Sequence, residues 1–271
     1  MHRNILIEQI RQKKSYLCVG LDSELNKLPA HLQHQKDGII QFNKAIIDAT
    51  KDFCVSYKIN TAFYEALGTK GWEAMEATVD YIPDTHLKIA DAKRGDIGNT
   101  SSQYAKAFFE TIPFDAITVA PYMGEDSIRP FLAYENKWTI VLGLTSNKGA
   151  ADFELQRIRT AEAEQYLYQN VLQTVSKWGT PQNLMFVTGA TQASELANIR
   201  KIIPEHFLLV PGVGFQGGSL EEVSKYGLND DIGLLVNASR AIIFAGADEN
   251  FAAEAQAIAK QYQQEMALYI S

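Results

Sequence analysis

HLKIADAKRGDIGNT, residues 86–100, opens like a buried strand and closes in alternating charge. Successive strand side chains point to opposite faces, so Leu87, Ile89, Asp91 and Lys93 are expected to share one face. Along that face, two apolar residues are followed by a carboxylate and an ammonium. Arg94 and Asp96 come next, before Gly-Asn-Thr ends the segment. Charge placed at the end of a hydrophobic strand points to an architecture in which strand ends carry the chemistry.

The same kind of apolar run recurs along the chain. YLCVGLD (16–22), CVSYKIN (54–60), HLKIADAK (86–93), AITVAP (116–121), WTIVLGL (138–144), NLMFVTGA (183–190), HFLLVPGV (206–213) and GLLVNASRAI (233–242) make eight candidate strands. They are rich in Val, Ile, Leu and Ala, as strands covered on both faces are. Amphipathic stretches lie between them. Trp72, Met75, Val79 and Ile82 recur at helical spacing, and Phe251, Ala255, Ile258, Tyr262 and Met266 form a second stripe. Thr100 or Ser101 is placed to cap a helix running through Tyr104, Ala105 and Phe108. Pro211-Gly212 and Gly217-Gly218 mark turns after strands. Eight β-α units predict an α/β fold: one (β/α)8 TIM barrel as a single domain over residues 1–271. The other arrangement is an open doubly wound sheet. Its usual GxGxxG after the first strand is absent here.

A hydrophobic share of 46% is enough for a sizeable core. A net charge of −7 argues against nucleic acid, which needs a basic face, yet leaves room for one local phosphate site. The start, MHRNILIEQIRQKK, lacks the apolar run of a signal peptide, and no stretch approaches the roughly 20 apolar residues of a membrane helix. Cys18 and Cys54 fall in predicted strands and read as small buried hydrophobes. The five histidines are scattered, and neither CxxC nor HExxH occurs. A cytoplasmic, reduced, metal-free protein is expected.

A barrel of this kind puts its active site at the C-terminal ends of the strands. Asp22 ends the first candidate strand and Lys58 lies near the end of the second. Asp91 and Lys93 end the third, and Asp96 follows. One charge after a strand is ordinarily a cap or a solvated loop residue. Alternating charges at three successive strand ends suggest a paired array above an apolar floor. Such an array suits proton delivery and charge stabilisation. Near the other end of the chain, PGVGFQGG (211–218) follows the seventh strand, and Arg240 ends the eighth. Barrels often hold phosphate at the loops after strands seven and eight, where glycine lets the backbone approach an anion. Ser146 in LTSN sits after the fifth strand, where a polar ligand would be met.

DAKRGDIGNT (91–100), together with Lys58 in YKIN, resembles the orotidine 5′-phosphate decarboxylase family. GLD (20–22), LTSN (144–147), PGVGFQGG (211–218) and NASR (237–240) follow in the expected order. The stretch 148–169 is longer than a minimal barrel requires and resembles the longer bacterial-type branch. The resemblance implies a cofactor-free decarboxylation of orotidine 5′-phosphate to UMP and carbon dioxide, the last step of UMP synthesis. By the resemblance, Lys93 donates a proton to C6, Asp91 sits against the substrate carboxylate, and Lys58 bridges the ribose and the charge array. Asp22 would bind ribose and Ser146 the pyrimidine, with Gln216, Gly217 and Arg240 at the phosphate. A homodimer is implied, in which Asp96 and Thr100 reach the neighbouring site. The segment 214–231 is long for a βα connection and is expected to close over the phosphate. Two alternatives stay open here. One is a metal-dependent sugar-phosphate synthase or decarboxylase on the same barrel. The other is a non-catalytic nucleotide-phosphate binding protein.

Overall fold

In the computed structural model, ten strands follow one another among the described residues. They are β1 (Leu17–Gly20), β2 (Ser56–Asn60), β3 (Leu87–Arg94), β4 (Ala116–Val119), β5 (Trp138–Leu144), β6 (Arg157–Arg159), β7 (Glu164–Tyr166), β8 (Leu184–Thr188), β9 (Phe207–Pro211) and β10 (Leu234–Ala238). The structure describes residues 1–160, 164–190, 193–214 and 217–270. Eight of the ten strands, all parallel, close into a barrel in the order β1-β2-β3-β4-β5-β8-β9-β10. Closure comes from β10 beside β1, with Leu17 opposite Val236. All eight apolar runs of the sequence are therefore barrel strands. Every residue of β1, β4, β8 and β10 is buried, because side chains fill the barrel on one face and helices cover the other.

The covering helices are Gly38–Thr50, Thr69–Tyr81, Gly98–Lys106, Glu125–Leu132, Leu167–Val175, Ala193–Ile202, Leu220–Gly227 and Phe251–Met266. The last buries Phe251, Ala255, Ala259, Tyr262 and Met266, with Ile258 at the margin of the stripe. In the helix Thr69–Tyr81, Met75 and Val79 face the core, whereas Trp72 lies at its exposed edge. A further helix, Arg3–Lys13, lies at the N-terminal ends of the strands. Its Arg3 guanidinium donates to the carbonyls of Pro181 and Glu205, just before β8 and β9. Among the described residues, no helix is long and apolar enough to cross a membrane.

Three local expectations are revised. Cys54 is buried and free like Cys18, but it precedes β2 instead of lying within it. Thr100 does not cap its helix: Ile97 is at the cap position without a side-chain bond, and Thr100 falls inside the first turn. Much of 214–231 is the barrel helix Leu220–Gly227, capped by the Ser219 hydroxyl, so the connection before it is short. Of the long stretch 148–169, the described residues form a 3-10 turn, Lys148–Asp152, and the antiparallel pair β6 and β7, before the helix Leu167–Val175. Glu154 ties this insertion back to the end of β5 by accepting from the Thr145 N–H at 2.7 Å and its hydroxyl at 2.9 Å.

Candidate active site

β3 does not run straight into the mouth. Ala90 pairs with Ile117 of β4 and Arg94 with Val119, so Asp91, Ala92 and Lys93 bulge opposite Thr118 alone. Lys93 sits at φ +46°, a left-handed conformation uncommon for a side-chain-bearing residue. Asp91 and Lys93 do meet, as regular alternation predicts, but the bulge sets their relative position. Arg94 follows as an anchor: it pairs with Glu65 and lies over the rings of Tyr104 and Phe108.

The array is continuous across three strands. Lys93 Nζ lies 2.5 Å from Asp91 Oδ1, and Lys58 Nζ lies 3.1 Å from Asp91 Oδ2 and 3.6 Å from Asp22 Oδ1. Lys58 is 4% exposed. Burial alone opposes its charge, but Asp22 and Asp91 outweigh that and hold its pKa above the ordinary lysine value. Burial would likewise raise the Asp91 carboxyl, yet Lys58 and Lys93 hold it down to about 2. Both groups are therefore ionised at neutral pH. Lys93 is different in access, since half of its side chain faces solvent while Asp91 is 13% exposed. It is the more accessible cation of the array.

Asp22 joins this array to a second feature, a cleft of about 510 Å³ that it lines with Gly212, Gly217, Asn237, Ser239 and Arg240. Its neighbours are fixed by a buried polar network. The Tyr64 hydroxyl donates to the Leu21 carbonyl at 2.9 Å, and the Ser23 hydroxyl to Asn43 Oδ1 at 2.6 Å. Arg240 opens the short helix Arg240–Ile243 and has no ion-pair partner among the described residues. Gly217 and Gly218 turn their N–H groups inward, to the carbonyls of Gly214 at 2.8 Å and Gly212 at 2.9 Å. The loop they close is tight: a Cβ on Gly217 would meet the Gly212 carbonyl oxygen at 1.7 Å. The guanidinium of Arg240 is accordingly the cleft's positive charge. Gln216 lies outside the described residues.

Ser146 is exposed on the loop after β5, between the ends of β8 and β9. A Cβ on Gly189 would approach its backbone nitrogen to 2.6 Å, and one on Gly212 would sit 4.0 Å from its hydroxyl. Asp96 and Thr100 do not join the array within this chain. Asp96 accepts its neighbour's N–H, from Ile97 at 2.7 Å, and both residues border a surface bearing exposed Ile97, Tyr122 and Met123. Sequence reasoning passed over Thr118, Asn237 and Ser239. Thr118 and Asn237 are polar residues in otherwise apolar strands, one or two positions from the strand end, and that was the available signal. Among the described residues, Asn237 Oδ1 and Asp22 Oδ1 are buried at this mouth without a hydrogen-bond partner, although Lys58 stands 3.6 Å from the latter.

Residues 15–256 match the orotidine 5′-phosphate decarboxylase / HUMPS family. The chain belongs to this family. It is 61% identical over 265 residues to the orotidine 5′-phosphate decarboxylase of Flavobacterium johnsoniae, covering 97% of this chain and 96% of that protein. The corresponding protein of Bacteroides fragilis is 56% identical over 271 residues, covering 98% and 97%. Among solved structures, the OMP decarboxylase of Leishmania donovani superposes with a TM-score of 0.82 at 33% identity, over 99% of each chain. The UMP synthase of the same organism gives 0.85 at 36%, with 97% of this chain matching 55% of that longer one. The barrel is thus a frame that this chain shares with those solved structures.

Proposed function

We propose that this chain decarboxylates orotidine 5′-phosphate to UMP and carbon dioxide, as the last step of UMP synthesis. It is an enzyme of the carboxy-lyase class, with one barrel domain carrying the reaction in the cytoplasm. The observation that carries the reading is the unbroken line Asp22–Lys58–Asp91–Lys93, which shares Asp22 with the cleft holding Arg240. In this reading Arg240 takes the phosphate, with Gln216 and Gly217 beside it. Asp22 and Lys58 meet the ribose, and Ser146 meets the pyrimidine.

The chemistry follows from where the charges stand. The bond from C6 to the carboxylate breaks, its electron pair stays on C6 in the ring plane, and carbon dioxide leaves. Asp91, held ionised, opposes the substrate carboxylate and so favours its departure. Lys93 stabilises the developing carbanion and then gives it the proton, leaving a neutral amine that recovers a proton from solvent. Interactions stronger in the transition state than in the ground state are the ones that accelerate. Phosphate binding far from C6 supplies energy to hold the substrate in this arrangement. An ammonium, Lys58 Nζ, fills the space between the carboxylates of Asp22 and Asp91. A divalent ion serving sugar-phosphate chemistry would need that place.

We further propose a homodimer. Asp96 and Thr100 would enter the neighbouring site, and the exposed apolar side chains of Ile97, Tyr122 and Met123 next to them fit burial against a second copy. Purified protein mixed with orotidine 5′-phosphate is expected to remove the orotate absorbance, with excess chelator present or not. Binding without absorbance change would point to a nucleotide-binding protein, and activity that chelator abolishes to the metal-dependent reaction.

A further inference from the structure

The bulge in β3 places three residues against one, and that one is Thr118, which is 1% exposed. Its hydroxyl accepts the backbone N–H of Lys93 at 2.9 Å and donates to Asp91 Oδ1 at 3.0 Å. The same carboxylate oxygen receives Lys93 Nζ at 2.5 Å. The contacts close a loop: Lys93 N–H to Thr118, Thr118 to Asp91, and Asp91 back to the ammonium of Lys93. A hydroxyl has one proton to give, and here it is given to the carboxylate. The Lys93 peptide N–H has lost its ladder partner to the bulge, and a backbone donor removed from water needs another. Thr118 supplies it. One hydroxyl therefore couples the left-handed backbone of Lys93 to the orientation of the Asp91 carboxylate.

We infer that Thr118 is a positioning residue for the decarboxylation proposed above: its hydroxyl fixes the Lys93 ammonium and the Asp91 carboxylate relative to one another at the reacting carbon. The inference rests on that reading of the site. Valine has threonine's shape without the hydroxyl, so Thr118→Val leaves the Lys93 N–H without an acceptor and Asp91 without one of its donors. Thr118→Ser keeps both bonds. Because Asp91 and Lys93 act at C6 and not at the phosphate, the loss belongs in kcat more than in KM.

The test measures kcat and KM for orotidine 5′-phosphate in both variants, together with hydrogen exchange at the Lys93 amide by NMR. The Ile117 amide on the same part of β4 serves as the internal control. Thr118→Val is expected to lower kcat by about tenfold or more, the effect of about 1.4 kcal/mol in the barrier, with KM within about threefold of wild type. Lys93 exchange should accelerate while Ile117 exchange stays unchanged, and Thr118→Ser should restore both. Should the valine variant not fold, Thr118→Ala makes the same comparison. Wild-type kcat in Thr118→Val, or Thr118→Ser impaired as much as Thr118→Val, overturns the inference. Wild-type protein that leaves the substrate intact defeats the reading of the reaction. In that case exchange at Lys93 still decides whether the hydroxyl holds it, and an unchanged rate overturns the inference independently.

Discussion

Lys58 and Lys93 share the carboxylate of Asp91 but stand in different surroundings, and the difference assigns their work. Lys58 is enclosed and serves as a fixed charge between Asp22 and Asp91, whereas Lys93 is open to the mouth and can exchange a proton. Lys93→Ala should abolish decarboxylation with the fold retained, because its side chain is half in solvent; near-wild-type turnover would remove it from the mechanism. Lys58→Met should also cost stability. It leaves two half-buried carboxylates without the cation between them, and breaking a fully buried pair in this way typically costs about 3–5 kcal/mol. The sign with pH follows from Asp91. Its folded pKa of about 2 lies below the unfolded value, so its stabilisation is present above the ordinary carboxylate range and lost as pH falls toward about 2. Without Lys58 that pKa rises toward the unfolded value, so this contribution shrinks and the variant has less of it to lose as pH falls. Urea unfolding of both proteins at pH 7 and pH 3 measures this, and equal stability at pH 7 would show that Lys58 contributes no net stabilisation. These charged residues were legible in the sequence because alternating charges at three successive strand ends have few structural uses, whereas a single one has several. Thr118 was not, since its role comes from a bulge, and a shift in pairing with β4 leaves no mark on β3 itself.

Among the elements, the loop after β9 shows what glycine permits. Gly214 has φ +130°, and a Cβ there would lie 2.4 Å from the hydroxyl oxygen of Tyr262. That hydroxyl, on the helix Phe251–Met266, donates to the Val213 carbonyl at 3.3 Å. The last helix of the barrel thus supports the loop on the cleft's wall, and Gly214 makes the close approach possible. Gly214→Ala combines a backbone conformation costing about 1–3 kcal/mol with a steric clash. Its kcat/KM for orotidine 5′-phosphate is expected to fall about tenfold or more, while its slow turnover of the phosphate-free nucleoside stays unchanged. An equal fall for both substrates would mean that the loop does not serve the phosphate. The sequence shows the glycines and the apolar stripe containing Tyr262, but they lie about fifty residues apart, and their contact emerges only when the barrel closes.

At the scale of the whole molecule, eight apolar runs in 271 residues were enough for the barrel, because strands covered on both faces have a composition that few other elements share. The rest was hidden where side chains from distant elements meet. The proposed dimer is tested by mixing Asp96→Ala with Lys93→Ala protein: each should be inactive alone, and subunit exchange should restore partial activity by forming one intact site. No recovery after verified exchange counts against a shared site. The opposite end of the barrel holds a second dependence on distant contacts. His206, just before β9, is 7% exposed, with neither ring nitrogen hydrogen-bonded among the described residues. Arg200 donates to the carbonyls of His206, Gly227 and Gly233, and Arg3 lies over the Phe207 ring. Burial first, then the charges of Arg3 and Arg200, push the His206 imidazole down to about 4. His86, buried beside Lys13, is also pushed down to about 4. Each folded pKa lies below the unfolded one, so stabilisation is full above the ordinary histidine value and is lost as pH falls toward about 4. Through that window each imidazole steepens the fall by up to about 1.4 kcal/mol per pH unit. His206→Phe removes one of the two and leaves His86 in place. Between pH 6.5 and pH 5, urea unfolding should therefore show the variant losing about 1.5 kcal/mol less than wild type, with turnover at pH 7 unaltered because the mouth lies at the other end of the barrel. A variant whose stability falls as steeply as the wild type's would mean that His206 already takes up its proton in the folded barrel.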